Sequence, residues 1–146
     1  RTQDGYWPKL NPKDIEEKQK YRNKVLSLEE PFIDGETGAI VIPVPSYKLP
    51  RNGEQKVEGY SLPEVGPGVI VYNKDLPERK KDFVFEHEKA HIKQGKEGKL
   101  KTSSRLKLEQ EADREAYRRT GHMPQGREAY HPHYPREVYS PSRLAA

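Results

Sequence analysis

Residues 83–95 read Phe83-Val84-Phe85-Glu86-His87-Glu88-Lys89-Ala90-His91-Ile92-Lys93-Gln94-Gly95, and the H-E-x-x-H pattern at the centre decides the fold. Phe83, Val84, His87, Ala90 and His91 recur at helical spacing, so they share one face of a helix. That helix is expected to open near Asp75, Pro77 and Glu78, which have the spacing of a capping box with proline in the first turn, and to stop at Gly95. Side chains four residues apart stack on one helical face, so the His87 and His91 imidazoles can reach a single metal ion. Glu88 lies beside them, off the metal, where it can take a proton from a metal-bound water. In a chain of this composition chance yields roughly 0.02 such matches.

A catalytic zinc normally has three protein ligands and a water. The third ligand is sought on the next helix, capped by Ser103 or Ser104 and ending at Thr120-Gly121. There Glu109, Ala112, Asp113 and Ala116 follow i, i+3, i+4, i+7, one face that is otherwise small and apolar. Two carboxylates on such a face need a positive or hydrogen-bonding partner, and a zinc ion with its histidines provides both. Glu109 is therefore the expected third ligand, with Glu111 the alternative, since Glu111 shares its side with Lys107, Arg114, Glu115 and Arg118. Asp113 is expected to accept a hydrogen bond from a ligand histidine's other nitrogen and fix its tautomer. The metzincin extension, glycine three and histidine six residues after His91, fails: those positions hold Gln94 and Glu97.

An H-E-x-x-H helix, a short basic link and a helix reading E-x-E-A-D over Glu109–Asp113 resemble the gluzincin metallopeptidases. The likeness is to the minimal minigluzincins and the ImmA/IrrE-type peptidases, and it covers about Gly68–Thr120. Thermolysin-like enzymes share the logic of a ligand glutamate followed four residues later by a supporting aspartate, which maps onto Glu109 and Asp113. The resemblance implies an α+β, minimal zincin-like domain: a small twisted sheet above the two zinc helices, with a rim strand that pairs with extended substrate. Val69, Ile70, Val71, Tyr72 and Asn73, just before the H-E-x-x-H helix, would be that strand.

Around this core, Asn11-Pro12 reads as a helix start, with a loose stripe of Ile15, Tyr21, Val25 and Leu28. Asp34–Gly38 reads as a turn and Ala39–Val44 as a strand; Pro45–Gly68 is rich in proline and glycine, with a short strand near Val57–Leu62. The expected organisation is one metallopeptidase domain over 1–121, made of an N-terminal helical extension (1–30), a sheet region (39–74) and the zinc-site helices (75–120). A Pro/Tyr/His-containing tail covers 122–146. Tyr117, His122, His131 and His133 are candidates for a transition-state donor or, as in zymogen-like minigluzincins, for autoinhibitory contacts.

The 146 residues, 34% charged and 32% hydrophobic, with a mean hydropathy of -1.12, suit about one domain with a modest core and some tail. No apolar run approaches the ~20 residues of a membrane span. Cysteine is absent, which excludes disulfides, thiolate nucleophiles and cysteine zinc sites and fits a cytoplasmic location. The net charge of +4 is interspersed, so nucleic acid is not the expected partner, although Lys80-Lys81 and Lys96–Lys107 could meet phosphates. The leading expectation is a zinc endopeptidase, with one Zn²⁺ per chain, acting on peptide or protein substrates. The alternative is a non-catalytic or regulatory zinc-containing module acting on a protein partner. Oligomeric state is not legible.

Overall fold

The structure, a computed structural model, describes residues 6–52, 55–125 and 131. It is an α+β arrangement of three helices and a four-stranded mixed sheet, with a two-stranded hairpin beside it. Helix α1 spans Pro12–Leu26, and the Asn11 side chain accepts from the Asp14 N–H, the expected cap. Strands β1 (Phe32–Ile33), β2 (Ile40–Val44), β3 (Arg51–Asn52), β4 (Gln55–Lys56), β5 (Gly59–Leu62) and β6 (Val69–Asn73) follow. Helices α2 (Glu78–Lys96) and α3 (Arg105–Thr120) complete the order.

Sequence order and spatial order part company in the sheet. Its strands run β1-β2-β6-β5; β2 and β6 are parallel, while β5 lies antiparallel to β6. Strand β6 therefore uses its two edges on β2 and β5, and the expectation that Val69–Asn73 is a substrate-pairing rim is wrong. The edge positions belong to β1 and β5. The reason lies in burial: Ile70, Val71, Tyr72 and Asn73 are all buried, as expected of an inner strand covered on both faces.

The core joins the sheet to α2 and α1 through Leu26, Val41, Ile70, Tyr72, Val84, Phe85 and Ile92, with Tyr21 and Val25 packed against them. Leu28, expected on the apolar stripe of α1, is past its end and exposed. The expected capping box at Asp75 does not form. Pro77 is the cap without a side-chain bond, and Asp75 Oδ2 instead accepts from Ser46 N at 2.8 Å. Gly95 does not stop α2 either. It lies inside the last turn because a Cβ there would come within 2.5 Å of Pro63 Cβ, and the left-handed residue past the helix is Gly98 (φ 76°).

The rear of α2 carries charge rather than hydrocarbon. Arg22 is fully buried, with its guanidinium 2.8 Å from Glu86 and 3.7 Å from Asp82. Lys89, an "x" position of the H-E-x-x-H pattern, is buried among Asp34 at 3.4 Å, Glu36 and Glu86. Arg119 of α3 closes the cluster onto Glu36 and Glu86. Burial alone would raise the Asp34 carboxyl, but Lys89 and hydrogen bonds from Thr37 and Tyr21 hold it below its usual 3.8. Glu36 is likewise held below 4.5, against its own desolvation, chiefly by Lys89 and Arg119. Carboxyls lowered on folding contribute stability that is present above the unfolded values and is lost as pH falls through the folded ones. Asp82, raised by burial, works in the opposite direction. The melting temperature is accordingly expected to fall as pH drops below about 4, and a Lys89→Met variant should show a shallower acid limb.

Candidate metal centre

Helices α2 and α3 pack closely because the residues between them are small; Ala90, Ala112 and Ala116 are all buried. Ser104 caps α3, its Oγ accepting from Lys107 N, and this sets the turn from which Glu109 projects. The two helices bring His87, His91 and Glu109 together. The His87 and His91 Nε2 atoms are 3.1 Å apart. Glu109 Oε1 lies 3.2 Å from His87 Nε2, and Oε2 lies 3.1 Å from His91 Nε2.

The outer nitrogens decide what this convergence means. His87 Nδ1 is 2.8 Å from Asp113 Oδ1, and Asp113 is fully buried. His91 Nδ1 is 2.7 Å from Gln94 Oε1. The Gln94 amide is fixed in that sense because its nitrogen donates to Leu108 O (3.0 Å) and Glu111 Oε1 (2.9 Å). His91 Nδ1 thus faces an acceptor, while His87 Nδ1 lies within reach of Asp113 Oδ1 but out of line for a hydrogen bond. With a ring proton on each Nδ1, both Nε2 lone pairs face the Glu109 carboxylate. Lone pairs and a carboxylate crowded into about 3 Å repel unless a proton or a cation sits among them. Burial would lower His87, but Asp113 and Glu109 outweigh it and push its pKa up to about 9. The two histidines in turn draw Glu109 well below the carboxylate range, against its desolvation.

The donor set fits a metal ion. Tetrahedral ligands about 2.0–2.1 Å from one ion stand roughly 3.3 Å apart, close to the separations here. The Gln94 oxygen on His91 Nδ1 matches the usual pattern in which a ligand histidine gives its other N–H to an oxygen acceptor, and the Asp113 carboxylate stands beside His87 Nδ1.

The triad opens on a cleft of about 1280 Å³ that Glu88 also lines. Its walls include Gly59, Tyr60 and Ser61 of β5, Phe83 and Val84 of α2, and Arg105 at the start of α3. Glu111 is absent from the triad; it holds the Gln94 amide and pairs with Lys99 at 3.3 Å. Gln94 is the residue that sequence reasoning missed. Its position three residues after His91 was legible, but its acceptor role depends on α3.

The remaining candidates separate. Tyr117 is almost fully buried against the Trp7 ring, centroids 5.2 Å apart, and is not part of the cleft wall, which removes it as a transition-state donor. His122 lines the cleft together with Met123, and its Nδ1 lies 3.1 Å from an Arg79 nitrogen. Burial, with the charges of Arg79 and Arg22, lowers its pKa to about 4, so its ring is neutral and its Nδ1 accepts. His131 reaches neither the triad nor the cleft wall; its Nε2 lies 3.1 Å from Asp113 Oδ2. His133 lies outside the described residues. Among the basic residues considered for phosphate contact, Lys80 pairs with Glu58 and Lys99 with Glu97 and Glu111. No helix among the described residues is long and apolar enough to cross a membrane.

Compared with models of known protein families, with curated proteins and with solved structures, the chain matches none.

Proposed function

We propose that this protein is a zinc-dependent peptidase of the gluzincin kind, hydrolysing peptide bonds in the cleft above α2. The observation that carries the reading is the convergence of the His87 and His91 Nε2 atoms and the Glu109 carboxylate, with Gln94 bonded to the outer nitrogen of His91 and Asp113 close to that of His87. Two imidazoles and one carboxylate are a donor set that suits zinc. Held by His87, His91 and Glu109, the ion would supply Lewis acidity, which lowers the pKa of a water toward about 7 and polarises a carbonyl.

The chain's own groups do the rest. The Glu88 carboxylate, on the cleft wall, receives the proton of the attacking water and passes it to the departing amine nitrogen. Asp113 and Gln94 keep the ligand imidazoles in one tautomer. Strand β5 presents the sheet edge, with Gly59, Tyr60 and Ser61 on the cleft wall, so an extended peptide adds there as a further strand. The segment leaving α3 also lines the cleft at His122, Met123 and Gln125, which favours a form of the enzyme held latent by its own chain.

The test is to load the protein with one equivalent of zinc, incubate it with a diverse peptide library and identify products by mass spectrometry. A second arm uses a His122→Ala/Met123→Ala double variant, which removes the side chains of that segment from the cleft wall. Cleavage that a zinc chelator abolishes and added zinc restores is the expected result in at least one arm. Absence of products in both overturns the peptidase reading.

A further inference from the structure

The carboxylate behind His87 is itself held from the far side. Asp113 faces His87 Nδ1 with one oxygen (2.8 Å) and His131 Nε2 with the other (3.1 Å). His131 stands beyond the end of α3 in sequence, yet it is buried, and its Nδ1 is 2.8 Å from the Tyr6 hydroxyl near the other end of the chain. The ring rests 4.8 Å from the Trp7 ring and 5.7 Å from that of Tyr6. A carboxylate accepts only, so His131 Nε2 bears a proton and donates to Asp113 Oδ2.

We infer that His131 is a positioning residue of the metal centre, acting on His87 through Asp113 and never touching substrate. This rests on the reading that His87, His91 and Glu109 bind a metal ion. The contacts run Tyr6–His131–Asp113–His87, so segments from both sides of the helical core fix the rotation of one buried carboxylate. Asp113 projects from a helix, and its side-chain torsion is broad; the charge-assisted bond from His131 narrows it to an angle that keeps Oδ1 2.8 Å from His87 Nδ1. Removing that donor lets the carboxylate turn, and the His87 lone pair is then less well aimed at the ion. Loss of such outer partners typically weakens metal binding 10- to 100-fold. His131 is one link further out, so a weakening of about 10-fold is expected.

The experiment measures zinc affinity of the full chain by competition with a chromophoric chelator, for wild type, His131→Ala and His131→Gln, with the melting temperature of each metal-free chain recorded beside it. Glutamine places an amide N–H near the position of Nε2. The expected result is an affinity about 10-fold lower in His131→Ala, mostly restored in His131→Gln even where both lower the metal-free melting temperature. If His131→Ala does not fold, His131→Met, which fills the space without an N–H, takes its place, with the same loss expected and the same restoration in His131→Gln. Wild-type affinity in His131→Ala, or equal losses in both variants, overturns it while leaving the metal site standing. A wild type that takes up no zinc overturns the metal reading and this inference together.

Discussion

Replacing Glu88 by glutamine is expected to leave zinc content and melting temperature near those of wild type while lowering the turnover number by about 10²–10⁴. The substitution keeps the size of a nearly buried side chain on the cleft wall and removes only its capacity to take up a proton. His87, His91 and Glu109 are untouched, so metal content separates a catalytic loss from a collapsed site. In the proposed reaction Glu88 would serve both the attack and the departure of the amine, so neither half would bypass it, and the Michaelis constant should change little. A non-catalytic metal-binding module would show no difference between the two proteins in any of these measurements. An undiminished turnover in Glu88→Gln would remove it from the reaction.

Arg22→Ala is expected to destabilise the fold by about 3–5 kcal/mol, the cost of leaving buried carboxylates without their cation. Arg22 is fully buried and bridges α1 to α2 through Glu86 at 2.8 Å and Asp82 at 3.7 Å, with Gln19 bound to both Arg22 and Asp82. Arg119 and Lys89 still face Glu86 in the variant, so Asp82 bears most of the loss. Its carboxyl is already raised by burial, and without Arg22 it should take up a proton at higher pH. Denaturant unfolding at pH 7 and at pH 5 gives the readout, and the deficit should shrink at the lower pH. Arg22→Met, which restores volume without charge, should recover only part of it. A change below about 0.5 kcal/mol, typical of a surface site, would show that the cluster does not hold α1 to α2.

The parts of the site that were legible in sequence are those set by helical periodicity. His87, His91, Glu109 and Asp113 lie at i, i+4 spacings, and a helix converts that spacing directly into a shared face. What escaped depends on which element lies next to which. Val69–Tyr72 is a continuous apolar run rich in β-branched residues, the composition of a covered strand, but nothing local says that β5, written before it, would take the outer edge. Gly95 has the look of a helix stop; only Pro63, packed against it, explains a glycine inside the last turn. Lys89 reads as a solvated position, and its burial depends on Asp34 and Glu36 from a turn more than fifty residues earlier. His131 is the extreme case, since its partners Asp113 and Tyr6 come from α3 and from the start of the chain. Gln94 and Glu111 belong to the same class: each carries an ordinary polar side chain whose role is set by the other helix.

The central claim is that two imidazoles and the Glu109 carboxylate enclose a zinc ion. Elemental analysis of purified wild type beside Glu109→Ala and Glu111→Ala, each dialysed against limiting zinc, addresses it most directly. The expected result is about one zinc per chain in wild type, near-complete loss in Glu109→Ala, and retention in Glu111→Ala, whose carboxylate holds Gln94 and Lys99. Zinc-free wild type that also ignores added zinc, or a Glu109→Ala variant that binds zinc as wild type does, would contradict it.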